Sequence, residues 1–163
     1  MNIYPPRILE LAAEVLSKAR AKEWKVATAE SCTGGLLAGA LTEIPGSSDV
    51  FERGFITYSN EVETELLGVP SELIASLGAV SEEVARAMAQ GALARAKANA
   101  AVSVTGVAGP SGGTDAKPVG FVHIGGASLA RISHLECRFG DIGRSAVRMA
   151  SVEAALNHLL QLL

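Results

Sequence analysis

Three short apolar segments, residues 25–30 (KVATAE), 54–59 (GFITYS) and 100–106 (AAVSVTG), each run into hydroxyl and glycine residues, and stretches of helical periodicity lie between them. Strands separated by helical crossovers of roughly 10 to 20 residues bury both faces only as a sheet held between helices. The expected fold is therefore α/β: a three-layer α/β/α sandwich with a mixed, mainly parallel sheet, in a single domain over residues 1–163. A first helix is expected from about Arg7 to Lys22, because Ile8, Leu11, Ala12, Val15, Leu16 and Ala19 recur at helical spacing behind Pro5 and Pro6. Leu36, Leu37, Ala40, Leu41 and Ile44 mark a second helix that Pro45 and Gly46 end. Asn60 is placed to cap a third, which carries Val62, Leu66 and Leu67 before Gly68. Ser71 and Ser81 are further cap positions, the second opening an Ala-rich helix to about Lys97. Residues 119–128 and 129–139 read as an antiparallel hairpin, and a last helix runs from about Arg144 to Leu163.

Aromatic residues make up 4% of the chain, so the core is drawn from Ala, Val, Leu and Ile, and platforms on which bases could stack are nearly absent. Lys and Arg number 14 against 17 Asp and Glu, a net charge of -3, which offers no basic field to nucleic-acid phosphates or an anionic membrane surface. No run approaches the about 18 apolar residues of a membrane span. The opening MNIYPPRILELAAEVL lacks the basic and apolar regions of a secretory signal, and Cys32 and Cys137 lie far apart. A soluble cytoplasmic protein is expected, with neither nucleic acid nor membrane as partner.

In open α/β sheets ligands bind outside the carboxyl ends of the parallel strands. Residues 29–35 (AESCTGG), 57–60 (TYSN) and 105–113 (TGVAGPSGG) are expected to meet there. The N–H groups of Thr33, Gly34 and Gly35, at a helix start, form a candidate anion or oxyanion site. Ser31 stands at the strand-to-helix turn, either as a nucleophile or as the cap of the following helix. Cys32 reads as a small packed residue rather than an activated thiolate. His123, His134 and His158 lie far from Ser31 in sequence, and no cluster has metal-ligand spacing, so neither metal nor cofactor is expected. The loop at 105–113 matches neither glycine-rich nucleotide motif.

The string AESCTGG, followed in order by PGSSDVFERGFITYSNE, LLGV, GAVSEEVA, VTGVAGPSGG and KPVGFV, resembles the CinA C-terminal domain family, the nicotinamide-nucleotide amidases, from about Leu9 to the last helix. That resemblance implies hydrolysis of the carboxamide of nicotinamide mononucleotide to nicotinate mononucleotide and ammonia, without a metal, in pyridine nucleotide recycling. It also implies a tendency to self-associate into homo-oligomers. The family's nucleophile falls on Ser31 and its site tyrosine on Tyr58; Glu30, Asn60, Thr105, Gly106, Ala108 and Gly109 fall in its substrate-binding segments. Lys117 is either a family site residue or an ordinary loop lysine, and Arg144 and Arg148 either grip a substrate phosphate or lie on solvated helix surface. Where the family motif reads YSNEAK, with lysine as the base, this chain reads YSNEVE and has Glu63. In a helix's first turn the dipole favours a carboxylate, so Glu63 is expected to stay ionised and to be a weaker base than lysine. A weakly active or silent CinA-like binding protein, linked to competence or DNA damage, is the alternative expectation.

Overall fold

The computed structural model describes residues 2–163. Its elements are α1 (Pro6–Ala21), β1 (Val26–Glu30), α2 (Leu36–Thr42), β2 (Phe51–Ile56), α3 (Asn60–Leu67), α4 (Ser71–Leu77), α5 (Glu82–Arg95), β3 (Ala100–Gly106), β4 (Phe121–Ser128), β5 (Ile132–Arg138) and α6 (Arg144–Leu162). The five strands form one sheet in the order β2-β1-β3-β4-β5. Here β1 is parallel to both β2 and β3, while β4 is antiparallel to its neighbours β3 and β5. Only β4 therefore runs against the rest, and the carboxyl ends of β2, β1 and β3 share one edge.

Helices cover both faces. On one side α1, α2 and α6 pack on each other and on the sheet; on the other α5 crosses β1, β3, β4 and β5, with α3 and α4 against it. Two apolar clusters follow from this layering: a larger one joining Leu11, Leu37, Val102, Ile124 and Leu156, and a smaller one joining Ala27, Ala29, Leu67, Val84 and Met88. The six positions expected to face inward on α1 are the six it buries. Because β1 lies between two strands and two helical layers, all five of its residues are buried, and a continuous VATAE run replaces any polar alternation.

The element types agree with the sequence, and the boundaries shift. β2 begins at Phe51 and ends at Ile56, ahead of the expected Tyr58 and Ser59; as an edge strand it tolerates Glu52 and Arg53 and so shows no clean apolar run. Ser59, not Asn60, caps α3, its side chain accepting from the Val62 N–H at 3.3 Å, and Gly68 ends the helix in the left-handed region as expected. Ser81 caps α5, but Ser71 is the first residue of α4, with Pro70 at the cap. The close fit of α3 on α5 depends on Gly91: a Cβ there would stand 1.9 Å from the carbonyl oxygen of Leu67.

Candidate active site

At the shared edge Glu30 pairs laterally with Ile56 on one side and Val104 on the other. One step further the Ser31 N–H donates to the Val104 carbonyl (3.0 Å) and the Thr57 N–H to the Glu30 carbonyl (2.8 Å). Thr57, Ser31 and Thr105 thus form a row across three strands, with the roughly 4.8 Å spacing of adjacent strands. Alternation along the strands assigns the row a face. Ala27 and Ala29 belong to the cluster under α5, and Ser103 and Thr105 donate to Ala85 and Ala79 carbonyls at 2.6 and 2.9 Å on that same side. Ser31, half-buried, continues this face, whereas Cys32 falls on the other and is packed among α1, α2 and α6 residues. Burial pushes the Cys32 thiol up to about 12, so it stays protonated and inert, as its packing suggests.

The turn after β1 is tighter and more occupied than expected. Gly34 and Gly35 have φ of +57° and +100°, conformations that side-chain-bearing residues rarely adopt. α2 does not start until Leu36, with Gly35 at its cap position and no side-chain cap, so Ser31 is not the N-cap of this helix. The anion site expected from the Thr33, Gly34 and Gly35 amides is narrowed, and the amides of the helix itself are already taken. Glu30, fully buried, turns its carboxylate onto α2, accepting from the Leu37 and Ala38 N–H groups at 2.8 and 3.0 Å, and so fills the positive helix end with an internal anion. The Gly34 N–H donates to the Ser31 carbonyl at 3.0 Å; those of Thr33 and Gly35 make no backbone or side-chain hydrogen bond among the described residues.

Two arginines from the first turns of α6 close the edge. Arg148 donates through Nε to the Cys32 carbonyl (3.0 Å) and through an Nη to that of Thr33 (3.1 Å), gripping the turn that carries Ser31. Arg144 donates to the Gly109 carbonyl (2.7 Å) and to the Tyr58 hydroxyl (2.9 Å), fastening the residue after β2 to the loop after β3. Exposed Arg144 and half-buried Arg148 each already hold two protein oxygens, so in this structure both brace the edge. Lys117 is no ordinary loop lysine either: its ammonium donates to the Leu77 carbonyl at the end of α4, pinning the loop between β3 and β4 to that helix.

The other expected site residues are distributed unevenly. Gly106 abuts Val122 with no room for a Cβ, and Ala108 is buried in the larger core rather than in the crevice wall. Asn60 is exposed and lines, with Glu61, Thr64, Ser71, Ile74 and Ala75, a shallow cleft of about 370 Å³ between α3 and α4. Glu63 departs most from expectation. It is 1% exposed, and desolvation pushes its carboxyl up to about 7, against the ionised state that the helix dipole alone implies. Thr57 lies in the 57–60 segment expected at this edge but was not singled out there; it is the fully buried neighbour of Ser31.

Fold and edge together define a three-layer α/β protein whose serine-bearing strand-to-helix turn lies at the carboxyl edge of three parallel strands. Comparison with known proteins names the group. The CinA C-terminal domain family matches residues 8–163, and the chain belongs to that family. It is 49% identical over 155 residues to the nicotinamide-nucleotide amidohydrolase PncC of Pseudomonas putida, covering 95% of this chain and 96% of that protein. It is 53% identical over 150 residues to the CinA-like protein of Synechococcus sp. (strain RCC307), 91% of this chain but 36% of that one. The chain spans about a third of the length of several such relatives. The crystal structure of competence/damage inducible protein CihA from Agrobacterium tumefaciens superposes with a TM-score of 0.98 at 50% identity, covering 99% of both chains.

Proposed function

We propose that this protein is a cytoplasmic amidohydrolase that converts nicotinamide mononucleotide to nicotinate mononucleotide and ammonia, in pyridine nucleotide recycling. Ser31 Oγ attacks the carboxamide carbon, the free N–H groups of Thr33 and Gly35 receive the developing oxyanion, and Tyr58, held by Arg144, orients the carboxamide or relays a proton. The observation that carries this reading is a half-exposed serine, gripped from behind by Arg148, on the α5 face of a strand edge, in a chain that aligns nearly end to end with relatives named for this activity. The packed, protonated Cys32 next to it is unfit as a nucleophile.

Ammonia release from the mononucleotide is the direct test, with Ser31→Ala and Cys32→Ala beside the natural protein. The expected outcome is a loss of about 10³-fold or more in Ser31→Ala and near-natural turnover in Cys32→Ala. Full activity in Ser31→Ala would overturn the assignment.

A further inference from the structure

One group near the strand ends has no task in the fold. Oε2 of the buried Glu63 has no hydrogen-bond partner among the described residues, and the buried hydroxyls of Thr28, Thr33, Thr57 and Thr64 are likewise unpartnered, but Glu63 is the one ionisable group among them. A buried carboxyl that served structure alone would be paired, since an unpaired polar group away from water is strongly unfavourable. Unpaired polar atoms in a site wall instead mark where a reacting group arrives.

The position of Glu63 says which group. α3 begins three residues after Thr57, and Glu63 and Leu67 form its buried face. Leu67 meets α5 at Gly91, so this face looks toward the layer that covers Ser31. Side chains on a helix lean toward its N-terminus, which carries the Glu63 carboxyl back toward Thr57 and the hydroxyl row. We propose that Glu63 is the proton acceptor and donor for Ser31, a carboxyl doing the work for which the family motif uses a lysine; the proposal rests on the amidohydrolase reading.

As Ser31 Oγ bonds to the carboxamide carbon, its proton passes to Glu63. When the C–N bond breaks, Glu63 returns that proton to the departing nitrogen, ammonia leaves, and the acyl group remains as an ester on Ser31. Water then gives a proton to Glu63 and attacks the ester carbon; the acid product leaves and Ser31 recovers its proton. A group that both takes and gives a proton works best when both forms are populated at neutral pH. Burial pushes Glu63 up to about 7 and is the sole cause of that shift. None of the charged residues around it is a cause of that shift: Glu61 and Glu65 on α3, Glu72 on α4, Glu82, Glu83, Arg86 and Arg95 on α5, and Lys117 of the β3–β4 loop, whose ammonium rests on the end of α4.

A fluorophosphonate probe, which labels activated serine hydroxyls, tests this independently of substrate. Labelling of Ser31 is followed by mass spectrometry between about pH 5 and 9 in the natural protein and in Glu63→Gln, with ammonia release from nicotinamide mononucleotide measured in parallel. The expected result is a labelling rate that rises through a step near pH 7 and falls about 10²- to 10⁴-fold, without the step, in Glu63→Gln. A step that persists in Glu63→Gln, or no labelling of Ser31 at all, overturns the proposal. If Glu63→Gln does not fold, the natural protein's profile decides, and a flat one overturns it. Labelling with the expected step but no ammonia release refutes the substrate reading and leaves the role of Glu63 standing; equal ammonia release from both proteins does the reverse.

Discussion

At position 63 two physical effects oppose each other, and their sizes decide the outcome. A helix N-terminus favours a carboxylate by about 0.3–1 kcal/mol. A rise from 4.5 to about 7 corresponds to roughly 3 kcal/mol in favour of the protonated form, so burial wins. The dipole argument is visible in sequence because it needs only the helix start; the burial is not, because it depends on α5 lying over α3. The shift has a consequence for stability whose sign is fixed. With the folded-state value above the unfolded one, the stabilisation from protonated Glu63 is fully present below pH 4.5 and is lost as pH rises through about 7. Glu63→Gln stays neutral throughout. Relative to the natural protein it should therefore gain about 2 to 3 kcal/mol between pH 5 and pH 8, read as a widening gap between urea midpoints; a constant gap would refute the burial account.

Among the elements, the contact of α6 with the turn after β1 separates two roles for one side chain. If Arg148 held a substrate phosphate, its loss would raise KM; the geometry instead has it holding the Cys32 and Thr33 carbonyls. Arg148→Lys keeps the charge but cannot make both bonds from one fork. The expected outcome in steady-state kinetics is a kcat lower by about tenfold or more with KM nearly unchanged, whereas a rise in KM alone would restore the phosphate role. Sequence showed the helices well where periodicity and a single cap residue agreed, as in α1 and at Ser81. It misplaced the cap of α3 by one residue because serine and asparagine are both good caps and only backbone geometry chooses between them. It did not show that the first amides of α2 itself are taken, since nothing in the string AESCTGG says that the glutamate curls forward onto its own helix.

For the whole molecule, the alternation of strands and helices was enough to specify three layers, but strand order was not, because it is set by pairings between distant segments such as Val26 with Ala100. The two apolar clusters lie on opposite faces of one sheet and share its strands, so they are expected to unfold together. The one tryptophan, Trp24, packs on the larger cluster, and its fluorescence should lose native character at the same urea concentration as the far-UV circular dichroism. Separate midpoints would mean that the α5 layer melts independently. The clasp formed by α6 closes contacts over very long stretches of chain: Arg144 to Tyr58 across 86 residues and Arg148 to Cys32 across 116. Synthesis on the ribosome proceeds from the other end. The serine turn, Tyr58 and the loop at Gly109 all emerge before the helix that latches them, so a nascent chain has the chemical groups of its active edge in hand while the edge is still unassembled. The bonds from Arg144 and Arg148 to that edge form only once α6 has been made and has docked.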